Sequence, residues 1–470
     1  MKKNLKKLAA LMLTATMATG MLAGCGSNNS GSAAGSSEAA PASEAAGSES
    51  ASSAATEAGG ATGTTIDTSA LAGQSITLLN SKGEIQTALE DLASTFADET
   101  GINLEVMACG TGEVPYTKVT SMYQSGTAPT MAILDTTDVI GLAEEYGLDL
   151  SDQDWIQYCD SMTTKVNGKV YSFPFCVEGR GIIYSKKAIE DALGEEFDPS
   201  SINSLDSFKA ICEKLRAAGM ENPVVLSKED WSLGAHQLGY IYDTYDGTTA
   251  GADKIMAALK DGSQKVEDYE RFNQFVDTMD VIMEYNYNKE DPLGAIYDED
   301  PMHLVDGDAA FWPNGNWAWP NLADSGASTD DEYGFIPFVL GNDTSDFANT
   351  SMQASPTKQL MVDSKQSTPE QQQAALAFID WLVNSESGQK GLVEGCAVIP
   401  ACSNNTVAPL DPLSRDIVEK MNAGHTYASS FVAPSDHWSV VGASMQKYVA
   451  GQTDRAGLAK EVADYWAAQK

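Results

Sequence analysis

The sequence predicts an α/β fold in which helices cover a largely parallel sheet. Short apolar segments alternate with amphipathic segments from about Leu71 onward, which is the order that a parallel sheet requires. Hydrophobic residues make up 43% of the 470 residues, enough for a large core. No internal repeat occurs at the periods of solenoids or propellers, so we expect a globular α/β architecture.

The first strands and helices are predicted by their hydrophobic spacing. Ligands of such sheets bind beyond the carboxyl ends of the strands. This rule indicates the loop residues Asn80, Ser81, Lys82, Glu84 and Asp135. In order, the expected elements are a strand over 75–79, a helix with Ile85, Leu89, Leu92 and Phe96 on one face that ends at Gly101, a strand in which Ile102, Leu104 and Val106 alternate, a helix over 116–123, and a strand over 131–134.

The middle and the end of the chain are richer in predicted helix. Residues 207–217, 255–259 and 272–285 have apolar side chains at helical spacing. Near the end, Ala374, Phe378, Trp381 and Leu382 form another apolar stripe, which indicates core packing.

The N-terminus has the pattern of a bacterial lipoprotein signal. Four lysines within residues 2–7 precede the short apolar stretch 8–23, and the segment ends in Leu22-Ala23-Gly24-Cys25, which resembles a lipobox. We therefore predict a signal peptide over 1–24 and lipidation of Cys25. Residues 25–70, rich in Ser, Ala and Gly, are expected to form a disordered tether. No other stretch of ~18 apolar residues follows, so the mature chain should not span the membrane.

Charge and motifs exclude several function classes. The formal net charge of −37 argues against nucleic-acid binding, which needs basic patches. The sequence has no P-loop, no G-x-G-x-x-G, no G-x-S-x-G and no H-E-x-x-H. None of the four histidines pairs with another at metal-ligand spacing. We expect no catalysis, no cofactor and no metal.

The cysteines after Cys25 leave two alternatives open. An export route permits disulfides, and Cys396 and Cys402 are close enough in sequence to form one. The other alternative, which we favour, is that the thiols are free and buried as small hydrophobes. The six residues are Cys109, Cys159, Cys176, Cys212, Cys396 and Cys402.

Tryptophans with polar neighbours indicate a sugar site. Trp312 and Trp317 lie with Asn316 in a turn-rich segment, Trp231 follows Glu229 and Asp230, and Trp438 lies in Ser435-Asp-His-Trp-Ser439. Sugar rings present flat C–H faces that pack on aromatic rings, while their hydroxyls require hydrogen-bonding groups. Alternatively, each of these tryptophans packs in the core.

Several segments, taken in order, resemble the solute-binding proteins of carbohydrate ABC importers, the family that includes the maltose-binding protein. The longest is Asp306-Gly-Asp-Ala-Ala-Phe-Trp-Pro-Asn-Gly-Asn-Trp-Ala-Trp-Pro-Asn-Leu322, followed by Tyr333-Gly-Phe-Ile-Pro337. The resemblance runs from about Ser75 to the end of the chain. Two departures, Thr130 and Ser185, warn against assuming the same sugar. Shorter matches are 126–129, 167–175, 181–186, 375–382 and 398–400.

The resemblance implies a two-lobed periplasmic-binding-protein fold of type II with a ligand cleft between the lobes. One lobe would comprise 71–178 plus about 355–403, and the other 179–354 plus about 404–470. By position, Glu178 matches a carboxylate that bonds sugar hydroxyls, and Trp317 and Trp438 match stacking residues. The full predicted ligand-binding set is Trp317, Trp231, Trp438, Glu178, Asp135, Lys82, Glu84, Trp312 and Asn316.

The same resemblance implies partners and a location. A monomer tethered to the outer face of the cell membrane would deliver a sugar or oligosaccharide to ABC permease subunits and their ATPase. Two other functions stay open. One is binding of a different solute, such as a peptide or a polyamine, which an acidic cleft would suit. The other is a secreted glycoside hydrolase, which would need two carboxylates flanking the scissile bond.

Overall fold

The computed structural model describes residues 63–110 and 113–469. The predicted signal peptide, the lipidated Cys25 and most of the predicted tether lie outside the described residues. Within the described ranges, no helix is both long enough and apolar enough to cross a bilayer.

The predicted order of strands and helices at the start of the fold is confirmed. β1 pairs in parallel with both β2 and β3, so the carboxyl ends of β1 and β3 meet at one edge. Gly101 ends the first helix with a φ of 74°, a backbone conformation that glycine adopts without steric cost. These elements are β1 (Ser75–Asn80), α1 (Gln86–Thr100), β2 (Asn103–Ala108), α2 (Pro115–Ser125) and β3 (Met131–Asp135).

The rest of the chain adds short strands and many helices, including those predicted around 207–217, 255–259, 272–285 and 374–382. In chain order these are α3 (Thr136–Tyr146), α4 (Ile156–Cys159), β4 (Lys165–Val166), β5 (Lys169–Val170), β6 (Ser172–Ser185), α5 (Lys186–Leu193), α6 (Leu205–Ala217), α7 (Tyr240–Asp243), α8 (Thr249–Asp261), α9 (Glu270–Glu284), α10 (Asp300–Val305), β7 (Phe311–Gly315), α11 (Trp319–Asp324), β8 (Tyr333–Ile336), α12 (Phe347–Thr350), β9 (Met352–Val362), α13 (Pro369–Asn384), α14 (Glu386–Lys390), α15 (Pro412–Asn422), β10 (Thr426–Tyr427), α16 (His437–Val449) and α17 (Arg455–Ala468).

Two long strands cross the molecule and join its two halves. β9 pairs antiparallel with β3 at one end, while β6 pairs with β9 through its first half and with β7 and β8 through its second half. The main path of the sheet therefore runs β2-β1-β3-β9-β6-β7. β6 and β9 therefore connect the two halves.

The buried apolar side chains collect on either side of these crossing strands. One group packs around β1–β3 and α13, where Phe96 lies 5.0 Å from the ring of Phe378 and 5.4 Å from that of Trp381. The largest group packs around α6, α9 and β7, where the rings of Phe208 and Phe311 are 5.5 Å apart. Two smaller groups lie around α2 and α3 and around α11 and α15. We call the half that holds β1–β3 and α13 the first lobe, and the half that holds α6, α9, α11 and β7 the second lobe. The lobe boundaries given above stay a prediction.

The six cysteines beyond Cys25 are free thiols, and all but Cys109 are buried. The bridge between Cys396 and Cys402 is therefore not formed, and the buried-thiol alternative describes the structure.

A buried histidine makes stability depend on pH. His437 is 2% exposed, and its Nε2 lies 3.0 Å from the hydroxyl of Tyr242, which accepts the indole N–H of Trp466. Burial lowers the pKa of His437 to about 3. The unfolded chain, with an ordinary histidine pKa, takes up a proton first as the pH falls, so this group lowers stability below about pH 6.5.

We expect His437→Gln to weaken this acid sensitivity. Between pH 7 and pH 5 the wild type should lose on the order of 2 kcal/mol of unfolding free energy through this residue, and the variant should not. Urea unfolding of both proteins at each pH measures the difference. Parallel loss in both proteins would show that His437 is not responsible.

Candidate ligand-binding cleft

A buried lysine lies at the carboxyl end of β1. Asn80 shapes the turn, since its amide donates to the Lys82 carbonyl at 2.8 Å and its side-chain oxygen accepts the Lys82 N–H at 2.9 Å. The Lys82 side chain is 3% exposed and forms ion pairs with Glu84, at 2.7 Å, and with Glu178. The lysine therefore joins the first lobe to the crossing strand β6.

Glu178 is held as a carboxylate by two cations. It accepts hydrogen bonds from Lys82 and from the hydroxyl of Thr357 on β9. Burial alone would raise the pKa of Glu178, but the charges of Lys82 and Lys358 outweigh it and hold the pKa at about 2. Burial alone would lower the pKa of Lys82. The negative charges of Glu178 and Glu84 outweigh burial, so the pKa of Lys82 lies well above its ordinary value.

Lys358 connects the end of β3 to the same cluster. Its ammonium lies 2.8 Å from a carboxylate oxygen of Asp135 and 3.5 Å from the hydroxyl of Ser81. The predicted first-lobe residues Lys82, Glu84 and Asp135 are thus gathered near Glu178.

A wall of aromatic rings faces this cluster from the second lobe. The ring centroids of Trp231 and Tyr297 are 5.1 Å apart, those of Trp231 and His236 are 5.4 Å apart, and those of His236 and Trp317 are 4.5 Å apart. Three buried polar atoms nearby have no hydrogen-bond partner within the described residues: Trp317 Nε1, His236 Nδ1 and Glu229 Oε2. Such atoms are costly unless a ligand or water satisfies them.

The charge state of His236 suits an uncharged ligand. Burial, and then the positive charge of Arg180, lower the pKa of His236 to about 3. The imidazole is therefore neutral at physiological pH and offers both a donor and an acceptor nitrogen.

Glycines let the segments that hold this wall approach closely. A Cβ on Gly234 would lie 2.2 Å from the Trp438 carbonyl oxygen, and a Cβ on Gly442 would lie 2.2 Å from the Asp230 carbonyl oxygen. The π-helical turn Ser232–Gln237 consequently packs directly on α16. Trp231 precedes this turn and Trp438, half-buried, lies in the first turn of α16, so the two predicted tryptophans belong to neighbouring segments.

Two predicted residues have supporting positions in this conformation. Trp312 is fully buried and donates its indole N–H to Ser227 at 2.9 Å, with its ring 5.7 Å from that of Tyr297. Asn316 accepts the Gly179 N–H at 2.9 Å and donates to the Ser414 hydroxyl at 3.3 Å. Trp312 therefore lies behind the aromatic wall, and Asn316 fixes β6 to the second lobe. Direct ligand contact by either stays a prediction.

The cluster and the wall enclose a small cavity. Its volume is about 10 Å³, which is room for one water molecule. Its sides are Lys82, Glu84 and Ile85 from the first lobe and the predicted residue Asn316, with Trp317 and Pro320, from the second. Val177 and Glu178 of β6 and the segment 396–398 complete the lining. Residues of both lobes thus line the same small cavity.

A model of the family described as bacterial extracellular solute-binding protein matches residues 91–420, well over half of the chain. This chain belongs to that family. A curated relative, the multiple sugar-binding protein of Streptococcus mutans serotype c, is 28% identical over 228 residues, which is 44% of this chain and 51% of that protein. The match thus spans about half the length of that relative.

Solved structures show that this solute-binding protein has the predicted two-lobed fold. The protein RafE in complex with raffinose superposes with a TM-score of 0.67 at 18% identity, covering 84% of this chain and 99% of that one. A chitin oligosaccharide binding protein gives 0.65 at 18% identity, covering 83% and 98%. A sugar transporter protein from Bacillus licheniformis in complex with stachyose gives 0.64 at 15% identity, covering 84% and 100%.

Sequence reasoning missed four residues of the candidate cleft: Thr357, Lys358, His236 and Tyr297. The first two lie on β9, and their place beside Glu178 follows only from the pairing of β9 with β6. His236 follows Trp231 by five residues, and that spacing on a helical turn is the one signal that could have indicated it. Tyr297 lies in an irregular segment with no periodic pattern.

Proposed function

We propose that this protein is the sugar-binding component of an ABC importer, capturing a sugar or an oligosaccharide between its lobes. The observation that carries the proposal is the aromatic wall of Trp231, Tyr297, His236 and Trp317 facing the buried charged cluster around Glu178. Rings provide flat apolar area for sugar C–H faces, and the unpartnered polar atoms beside them provide bonds for hydroxyls. Structurally similar proteins bind raffinose or stachyose, and another is a chitin oligosaccharide binding protein, which supports the same class of ligand.

Ligand entry requires the lobes to separate. A cavity of about 10 Å³ cannot hold a sugar, since ligand sites are typically ~300–1,000 Å³. Rotation about β6 and β9 would move Trp317 and Pro320 away from Lys82 and Glu84. The sugar would then replace water between the two sides, and closure around it would strengthen each hydrogen bond by lowering the local dielectric constant.

The charge pattern of the cleft favours a neutral ligand over a cationic one. Glu84 and Glu178 are paired with Lys82, and Asp135 is paired with Lys358. A polyamine would have to compete with both lysines for these carboxylates. Glu229 has an oxygen without a hydrogen-bond partner. Burial raises the pKa of Glu229 and so disfavours its negative charge, which makes this carboxyl group a poor site for a cation.

The remaining parts of the proposal concern the cell. A lipid on Cys25 would hold the protein at the outer face of the membrane, and residues 25–70 would give it reach. In its closed form the monomer would present both lobes to two permease subunits, which a cytoplasmic ATPase drives. We propose no catalytic step.

Calorimetry against a sugar panel tests the proposal. We expect micromolar or tighter binding of at least one of raffinose, stachyose and chitin oligosaccharides, with an affinity that changes by less than about twofold between ~50 and ~500 mM NaCl. Spermidine and a cationic peptide serve as controls and should not bind. Binding of either control, weakened strongly by salt, with no response to sugars would replace this proposal with the cationic-solute alternative.

A further inference from the structure

Two buried thiols from distant parts of the sequence meet in the first lobe. Cys159 ends α4 and is 2% exposed, and Cys402 follows the cavity-lining segment 396–398 and is 6% exposed. Both belong to the same apolar group of side chains, and Cys159 raises the pKa of the Cys402 thiol more than burial does, as expected of neighbouring thiols. The Cys159 sulfur also lies 3.6 Å from the Trp155 carbonyl oxygen.

The backbones that hold these thiols are joined independently of the sulfurs. The N–H and the hydroxyl of Ser403 both donate to the Tyr158 carbonyl, each at 3.0 Å. These are the neighbours of Cys402 and Cys159 in sequence. The Asn404 amide donates to the Val383 carbonyl at 2.9 Å, which ties the same segment to α13. These bonds bring the backbone next to Cys402 against the backbone next to Cys159, and a disulfide requires such a close approach of its two Cα atoms.

The other described cysteines are placed differently. Cys396 lines the ligand cavity, Cys176 lies on β6, and Cys212 belongs to the second lobe. Cys109 is half-exposed at the end of β2. The sequence spacing suggests a bridge from Cys396 to Cys402. The fold instead brings the segment of Cys402 to that of Cys159.

We propose that Cys159 and Cys402 form a disulfide in the exported protein, and that this bond fixes the end of the segment that lines the ligand cavity. The bond forms by exchange with a low-molecular-weight disulfide such as oxidised glutathione. One cysteine thiolate attacks the small disulfide and releases one thiol. The second cysteine then attacks the mixed disulfide and releases another. Two electrons and two protons pass from the protein to the small disulfide, which becomes two thiols.

The bond would act on the ligand site through the backbone. Ile399 accepts the Val177 N–H at 2.8 Å, so the segment from Cys396 to Cys402 is fastened to β6 at its middle and would be fastened to α4 at its end. The ring closed by the bond runs from residue 159 to residue 402 and includes all of β6, β7, β8 and β9. Closing so long a loop restricts the unfolded chain and should raise stability.

The low reactivity of the Cys402 thiol determines when the disulfide can form. The hydrogen bond to Cys159, and then burial, raise the pKa of Cys402, so its thiolate is scarce in the folded protein. We therefore expect the bond to form while the chain folds and to be slow to form or to break afterwards.

Oxidative refolding followed by peptide mapping tests the proposal. The full chain is refolded in a mixture of reduced and oxidised glutathione, its free thiols are alkylated in denaturant, and its peptides are identified without reduction. We expect one cross-linked peptide pair, Cys159 with Cys402, and alkylation at Cys176, Cys212 and Cys396. The oxidised protein should melt about 5 °C or more above the reduced one.

Variants separate this bond from other effects. Cys396→Ser is the matched control and should keep both the cross-link and the melting difference. Cys402→Ser and Cys159→Ser should each lose the cross-link and the difference in melting temperature between the oxidised and reduced proteins. If either variant fails to fold, the peptide map of the wild type still shows whether Cys159 and Cys402 are cross-linked. A cross-link between Cys396 and Cys402, or alkylation of both Cys159 and Cys402 after oxidative refolding, would overturn the proposal.

Discussion

Glu178→Gln should lower the free energy of unfolding by about 3 kcal/mol, since removing one member of a buried ion pair leaves the other charge poorly compensated. Lys82 is 3% exposed and would keep only Glu84 as an anionic partner. Because the site is buried, solvent cannot screen the Lys82 charge that Glu178 no longer compensates. Ligand affinity should also fall at least tenfold, because the carboxylate at the crossing strand is lost. Urea unfolding and calorimetry measure the two effects.

A second substitution checks the cause. In the double variant Lys82→Met with Glu178→Gln, the unpaired ammonium is absent, and we expect at least half of the lost unfolding free energy to return. Ligand affinity should not return. If Glu178→Gln unfolds within about 0.5 kcal/mol of the wild type, the buried pair does not hold the lobe to the crossing strand as described.

Trp317→Ala should weaken sugar binding at least tenfold, corresponding to about 1.4 kcal/mol or more of lost stacking area. The ring lies against Gly315, where a Cβ would come within 2.1 Å of it, and its partner on the other side is His236 at 4.5 Å. Isothermal titration with the sugar identified in the panel gives the affinities.

Two neighbouring variants serve as controls for Trp317→Ala. Trp317→Phe keeps an aromatic face and should bind within about threefold of the wild type. Trp319→Phe alters a buried indole of the second-lobe core, and should affect stability but not affinity. Wild-type affinity in Trp317→Ala, within about twofold, would remove that residue from the site.

The sequence predicted well what depends on local pattern. The spacing of Leu89, Leu92 and Phe96 identified α1, and strand ends identified Lys82 and Asp135, because parallel strands place their carboxyl ends together. The family resemblance indicated Glu178. Each of these predictions uses either a short-range period or one topological rule.

What the sequence could not predict depends on long-range pairing. Lys358 reaches Asp135 because β9 returns antiparallel between β3 and β6, and nothing near Lys358 in the sequence indicates that register. The polar neighbours of Trp312 suggest exposure, yet β7 is buried along its whole length, so they are buried with it. In the same way, hydrogen bonds from Ser403 to Tyr158 bring the segment of Cys402 to that of Cys159, which is distant in sequence.

The central claim is that a neutral sugar binds between these lobes. Native mass spectrometry tests it most directly, applied to the protein as purified and again after unfolding, dialysis and incubation with the sugar panel. We expect a 1:1 complex whose added mass is that of a hexose, an amino sugar or an oligosaccharide of these, and which is lost on denaturation and reduced in Trp317→Ala. A bound peptide or polyamine, or no complex with any sugar, would contradict the account.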